Sequence, residues 1–235
     1  MGNFFLSKKQ NVSELSTFYS FLIGFVIALM IGTIILIIQE KNPLETFSLM
    51  FRLSLGSVNS FTSSLNKAVP LILAGLGISI INSVKFWNIG AEGQIFFGAI
   101  AVNYIYINTQ VTNSTMLIFV LLISGFVGGA ICILIPAITK VFFGVNEIIT
   151  TLLTNYIAIG ITIYLINGPW KDPGSLNFPA AEYIGEEVYL PTIFGKLSFG
   201  FIVCITFTVI AFYLKNKSIF GYEMRIAGGS EMTAI

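Results

Sequence analysis

The densest polar cluster in an otherwise apolar chain is Trp87-Asn88-Ile89-Gly90-Ala91-Glu92-Gly93-Gln94. Asn88, Glu92 and Gln94 bring hydrogen-bonding side chains, and Gly90 and Gly93 allow a second backbone to approach closely. If the segment is helical, Asn88, Glu92 and Ile95 share one face through i+4 and i+3 spacing. An ionisable group at membrane depth costs about 2.5 kcal/mol or more on insertion scales for Asp or a basic residue. Glu92 is therefore expected to face a polar cavity or a partner group. A hydrated structural carboxylate near the cytoplasmic interface is the competing reading, and spacing leaves both open. Gly90-x-x-Gly93 is no nucleotide loop, because no strand precedes it.

A second cluster is Asn146-Glu147, followed by Thr150, Thr151, Thr154, Asn155 and Tyr156. Glu147, Thr151, Thr154 and Asn155 recur at i, i+4, i+7 and i+8, a polar stripe along an apolar helix. Such a stripe lines a solute path or hydrogen-bonds neighbouring helices, and the second use is the commoner. Tyr156 offers a ring that can stack on a planar solute. In a third segment, 215–235, polarity rises abruptly. Gly221 and Gly228-Gly229 bracket a short element that carries Arg225 and Ala227. It reads as a surface exposed to a partner or as a plain juxtamembrane basic stretch.

The elements that position these clusters follow from composition. Of 235 residues, 55% are hydrophobic and 10% charged, too few charges to solvate a globular surface. Net charge is +1, which offers nothing to nucleic acid. Histidine is absent, which removes the usual general base and the commonest metal ligand. Cys132 and Cys204 lie inside apolar runs and read as small buried hydrophobes. A spanning helix needs about 20 mostly apolar residues. The candidates are 18–38, 68–83, 89–107, 116–138, 148–166 and 199–214. Lys8 and Lys9 precede the first, but its apolar run is too long for a signal-peptide core and no cleavage site follows. The second, short and holding Pro70, Gly75 and Gly77, and the third, holding Glu92, are expected to be interrupted helices that line a cavity. Gly125, Gly128 and Gly129 predict close helix packing.

The fold class that results is all-α, a polytopic integral membrane helical bundle with about six transmembrane helices. With the N-terminus cytoplasmic, inside segments hold Lys8, Lys9, Lys85, Lys140, Lys215, Lys217 and Arg225; outside ones hold Lys41, Arg52, Lys67, Lys171 and Lys196. That bias places the N-terminus inside. Segment 43–56 has apolar residues at helical spacing and is expected to lie flat on the membrane or dip into the bundle. Segment 168–196, with Asp172, Glu182, Glu186 and Glu187, reads as a solvated acidic outer loop fit for docking a partner.

Together the three clusters resemble the membrane subunit of bacterial ABC importers for nucleosides and simple sugars, in the binding-protein-dependent permease family. Asn88-Ile89-Gly90-Ala91-Glu92-Gly93-Gln94 matches the N-I-G-A-E-G-Q signature of the nucleoside-type branch. Val145-Asn146-Glu147-Ile148-Ile149 through Leu153-Thr154-Asn155-Tyr156-Ile157-Ala158 resembles its V-N-E-V-I-x-T-L-x-x-N-Y-I-A stretch. The turn at Gly168-Pro169-Trp170-Lys171-Asp172-Pro173 also fits. Gly221-Tyr222-Glu223-Met224-Arg225-Ile226-Ala227-Gly228 resembles the G-x-x-x-R-A-x-G start of a cytoplasmic coupling element. Here Ile226 stands where Ala is typical, and Gly229-Ser230-Glu231 where Glu-Asn-Pro is common. The likeness covers roughly residues 40–235.

The resemblance implies that residues 1–235 form a single permease domain, the N-terminal part of a longer permease, ending in a coupling element at about 215–235. It implies a solute path carried by Asn88, Glu92, Gln94, Asn146, Glu147, Asn155 and Tyr156. It implies ATPase contacts at Gly221, Arg225, Ala227 and Gly228. The subunit would be non-catalytic and bind no cofactor, with ATP used by a separate ATPase subunit; no G-x-x-x-x-G-K-[ST] is present. A second permease subunit, identical or paralogous, and a binding lipoprotein or periplasmic protein would complete the importer in the bacterial plasma membrane. The rival readings are a permease for simple sugars or branched-chain amino acids, and a passive channel. A membrane enzyme fares badly with no His and Asp172 as the one Asp.

Overall fold

The computed structural model describes residues 14–175 and 178–229, so Lys8, Lys9, Ser230, Glu231 and the end of the tail lie outside the described residues. Contacts divide the chain into two units, 1–61 and 62–235. In the first, α1 (Glu14–Ile38) is an uninterrupted apolar helix. None of its side chains from Phe18 onward is buried, as suits a helix solvated by lipid. After a turn at Glu40 (φ 57°) the chain enters α2 (Pro43–Leu55). Asn42 caps α2 by accepting the Leu44 N–H at 3.0 Å, and Pro43 takes the first helical position, where no N–H is needed.

The second unit takes in α3 (Val58–Ile81) from Thr62 onward. The helix does not break at Pro70, Gly75 or Gly77, contrary to the interrupted helix expected at 68–83. In hydrocarbon the alternative to a helical hydrogen bond is no hydrogen bond, so one missing N–H does not stop the helix. The break comes later, at a 3-10 turn, Asn82–Val84, closed by Lys85 in the left-handed region (φ 54°). Non-helical backbone then runs to Gly90, where α4 (Ala91–Asn108) begins.

Asn113 accepts the Met116 N–H at 3.0 Å and starts α5 (Ser114–Phe143), which runs through buried Pro136 to Gly144 (φ 64°). That left-handed glycine turns the chain straight into α6 (Glu147–Asn167), capped by Asn146 through the Ile148 N–H at 2.9 Å. Helices α4, α5 and α6 pack on one another. The α4–α5 seam is glycine-built: a Cβ on Gly128 would lie 2.7 Å from both the Ala101 Cβ and the Phe97 carbonyl oxygen.

Beyond α6 the chain forms a loop and a two-stranded antiparallel ribbon, β1 (Thr192–Phe194) with β2 (Leu197–Ser198). Two α3 side chains one turn apart hold it. Thr62 Oγ1 accepts the Lys196 N–H at 3.0 Å, and the Asn66 amide donates to the Lys196 carbonyl and accepts the Ser198 N–H at 3.0 Å. Then come α7 (Gly200–Lys217) and, after a break at Ser218, α8 (Ile219–Gly229). By length and composition five helices can cross a membrane: Phe18–Ile38, Val58–Val84, Ser114–Phe143, Glu147–Asn167 and Gly200–Lys217. Helix α4, with Glu92, Gln94, Asn103 and Asn108 among 18 residues, is less apolar and packs on α5 and α6. The protein is a multi-pass, helical membrane protein.

Candidate functional site

Segment 86–90 is not helical, so its N–H groups need partners from elsewhere. Helix α6 supplies them. Glu147, Thr151 and Asn155, at i, i+4 and i+8, stand along one ridge. Glu147 Oε1 accepts the Trp87 N–H at a long 3.5 Å, and Thr151 Oγ1 accepts the Ile89 N–H at 3.2 Å. Asn155 Oδ1 accepts the Gly93 N–H, one of the orphan donors in the first turn of α4. The Gly90 N–H turns back to Asn88 Oδ1 at 2.9 Å. The Thr151 hydroxyl spends its proton on the Glu147 carbonyl at 2.7 Å, leaving its lone pairs for Ile89. All three acceptors are buried.

This zipper explains the glycines of the segment. A Cβ on Gly90 would stand 2.8 Å from the Thr151 carbonyl oxygen; one on Gly93 would stand 2.8 Å from both Cα and Oδ1 of Asn155. The ridge is anchored at its end by Lys140, whose Nζ lies 2.8 Å from Glu147 Oε1 and 5.5 Å from the centre of the buried Phe86 ring. The Glu147 side chain is 12% exposed and that of Lys140 35%, so the carboxylate is the partner that suffers when the pair is broken. Glu147→Met is expected to cost about 2 kcal/mol, Lys140→Met less, and the double variant less than the sum. Thermal unfolding of the four proteins in detergent measures the coupling; strictly additive losses would show that the pair is spent on solvent.

On the other side of the segment lies a cleft of about 630 Å³ between α3, α4 and α5. Its wall is Pro70, Leu73, Ala74, Gly77, Ile78 and Ile81 of α3; Ala91, Gln94, Ile95 and Gly98 of α4; and Gly125, Phe126, Gly129, Ala130 and Ile133 of α5, with Asn88 at one end. Asn88 and Gln94 are the polar side chains in that wall among the described residues. The helical face expected for Asn88, Glu92 and Ile95 does not form, because Asn88 precedes α4. Glu92 instead sits in the first turn of α4, where its charge suits the helix N-terminus, and accepts from Asn155 Nδ2 at 3.4 Å. So Asn88 and Gln94 meet the cleft, while Glu92, Glu147 and Asn155 brace the segment that presents them. Asn146 caps α6, and Tyr156 is 63% exposed, away from the cleft wall.

The coupling candidates gather in α8. Gly221 has no room for a Cβ against the Leu214 and Lys215 carbonyls, and Arg225 Nη1 donates to the Lys215 carbonyl at 2.5 Å. A Cβ on Gly228 would strike the Ser83 carbonyl. Ala227 lines an apolar groove with Ile80, Ile81, Val84, Phe220 and Met224. Helix α8 thus rests on the 3-10 turn that feeds Asn88.

A non-helical segment held by a polar ridge thus lies beside a largely apolar cleft in the helical bundle. A model of the family described as branched-chain amino acid transport system / permease component matches residues 60–234. The chain belongs to this permease family. Among curated relatives, it is 30% identical over 219 residues to the glucose ABC transporter permease protein TsgB13 of Haloferax volcanii, covering 88% of this chain and 57% of the relative. It is 28% identical over 228 residues to the guanosine ABC transporter permease protein NupP of Bacillus subtilis, covering 92% and 63%. Against the nucleoside ABC transporter permease protein NupB of Lactococcus lactis it is 27% identical over 216 residues, covering 88% and 59%. The chain therefore spans about three-fifths of the length of these relatives. No solved structure matches it.

No group of three His, Cys, Asp or Glu able to hold a metal occurs among the described residues. Sequence reasoning missed Lys140 as the partner of Glu147. The signal was there, a basic residue in the last turn of one helix and an acid at the start of the next, with Gly144 between them.

Proposed function

We propose that the chain is the membrane subunit of an ATP-driven ABC importer and that its solute is a nucleoside. The observation that carries this is the cleft: a largely apolar wall with two neutral side-chain amides, Asn88 and Gln94. A nucleobase has two apolar faces and one hydrogen-bonding edge, and Asn or Gln amides pair bidentately with such edges. A hexose with hydroxyls all round would turn several of them against Leu73, Ile95 and Phe126, at about 1–3 kcal/mol for each one left unpaired. A zwitterionic amino acid would bring two charges to a wall where the described residues offer none. The relatives named for guanosine and nucleosides favour this reading; the one named for glucose keeps a simple sugar as the second.

The chain binds no cofactor and hydrolyses nothing. A separate ATPase subunit contacts the 215–235 coupling element at the exposed Arg225 and Ala227, and the buried Gly221 and Gly228 set how α8 packs to present them. A second permease subunit, identical or paralogous, supplies the other half of the path, and a binding lipoprotein or periplasmic protein delivers the solute. The N-terminus is cytoplasmic, as the distribution of Lys and Arg favours, in a bacterial plasma membrane.

The test is radiolabelled uridine uptake by the complete importer in vesicles. Gln94→Ala and Asn88→Ala are each expected to lower uptake about tenfold, one hydrogen-bonding group's worth, at wild-type protein level. Unchanged uptake in both would remove the amides from the path. ATP-independent uptake would replace the importer by a passive channel.

A further inference from the structure

Helices α3 and α7 run side by side and meet at three levels. Near the ribbon, Asn66 Oδ1 accepts the Ser198 N–H at 3.0 Å, and further along Cys204 Sγ lies 4.0 Å from the Val69 carbonyl oxygen. At the far end, Lys215 Nζ donates to the Ser79 carbonyl at 3.0 Å and to Ser79 Oγ at 2.9 Å. Between the last two levels a groove of about 300 Å³ opens between the helices. Leu76 and Ile80 of α3 and Ala211 and Phe212 of α7 form its apolar walls, with Ser79, Lys215 and Asn216 at its mouth. Thr208 lines its deep part, two turns of helix and about 10 Å from Lys215. Both helices are long and apolar enough to cross a membrane, and Lys215 stands in the last turn of α7. The groove therefore starts at the membrane surface and runs into the hydrocarbon, where lipid is the solvent.

A lysine at a helix end ordinarily snorkels, its ammonium trailing into water. Lys215 is instead half-buried and drawn back onto α3. Its ammonium carries three protons, of which Ser79 takes two, so a third is left to donate at the mouth. The exposed Lys217 adds a second positive charge. The carbonyls that end α7 and would repel an anion are already engaged: the Asn216 amide donates to Phe212, the Ser218 hydroxyl to Leu214 and the Arg225 guanidinium to Lys215. No carboxylate lines the groove among the described residues; Glu223 of α8 lines the other groove that shares Ile80.

We propose that this groove holds an acyl chain of a membrane phospholipid with an anionic headgroup, its phosphate resting on Lys215 and Lys217. The apolar walls and the fixed charge at their upper end are the two halves of one such molecule. A soluble anion gains the lysines alone. A zwitterionic lipid gains the walls, but its own cation opposes the lysines. Only an anionic lipid gains both, and each lysine near the membrane surface is worth about a fivefold preference for it.

Phe212, 62% exposed on the groove wall, is the place for a reporter. The full chain carrying Phe212→Trp, Trp87→Phe and Trp170→Phe is reconstituted in vesicles that mix phosphatidylcholine with phosphatidylglycerol, one or the other brominated in its acyl chains. Quenching is expected to show phosphatidylglycerol favoured about fivefold or more at the reporter. Lys215→Gln with Lys217→Gln should bring that preference close to one, and Lys171→Gln, in the loop after α6, should leave it in place. Should the reporter chain fail to fold, thermal unfolding of the unmodified chain serves. Neutral micelles doped with phosphatidylglycerol should then stabilise it more than micelles doped with phosphatidylcholine, and the double lysine variant should lose the difference. Equal quenching by the two lipids overturns the proposal, as does a preference that survives the double variant. An equal rise in unfolding temperature with inorganic phosphate alone would mean that the lysines take a free anion, and overturns it too.

Discussion

Gly93→Val is expected to destabilise the chain strongly. The new side chain would start 2.8 Å from the Asn155 Cα, a backbone atom that cannot swing aside, and 3.3 Å from the Ala158 Cβ. Overpacking of this kind costs about 1–3 kcal/mol, and pushing α4 off α6 also breaks the Gly93–Asn155 bond, so a total of about 3 kcal/mol or more follows. Thermal unfolding of the purified chain in detergent should show a fall of several degrees, with Gly93→Ala between Gly93→Val and wild type. Gly160→Ala is the contrasting change. Nothing lies within 4 Å of its added Cβ, and replacing a helical glycine is expected to leave stability unchanged or raise it by about 0.5–1 kcal/mol. Equal unfolding temperatures for Gly93→Val and wild type would mean that α4 does not lie against α6 as described.

The second large effect belongs to Asn155. Asn155→Leu keeps the branched outline but removes the acceptor of the Gly93 N–H and the donor to Glu92, at a buried position 7% exposed. A buried N–H without a partner costs about 1–3 kcal/mol, and Glu92 loses its tie to α6 as well. The same unfolding measurement should place Asn155→Leu about 2–4 kcal/mol below wild type. Asn155→Asp separates the two contacts. It still accepts from Gly93 but turns a carboxylate towards Glu92, where the amide donor stood 3.4 Å away. It is expected to be destabilised, and adding Glu92→Gln to recover most of the loss. If Glu92→Gln makes Asn155→Asp worse, the bracing role given to Glu92 is wrong. Uptake should track stability in this series, since these residues hold the cleft-facing amides rather than touching the solute.

The contrast between neighbouring features shows where a sequence can be read. The run 18–38 reads as a helix in lipid, and α1 is a helix there, because about twenty mostly apolar, uncharged residues satisfy the bilayer whatever the rest of the chain does. The caps at Asn42, Asn113 and Asn146 are equally local, a side chain serving an N–H two or three residues on. Pro70 misleads because its effect depends on surroundings: in water it would end a helix, whereas in hydrocarbon the backbone has nothing better to do than continue. The Asn88–Glu92–Ile95 face fails for a related reason. The chain leaves helical geometry only because α6 offers acceptors to its free N–H groups, and those acceptors lie about sixty residues away.

Residue order alone determined the apolar runs, their caps, the glycines of the α4–α5 seam and the polar stripe on α6, since each depends on neighbours within a turn or two of helix. Which backbone donors the stripe would meet, that Lys140 would pin its end, and that Asn88 and Gln94 rather than Glu92 would face the cleft were decided by tertiary packing. A buried polar group takes whatever partner the packing brings within hydrogen-bond reach, and that partner is a property of three dimensions.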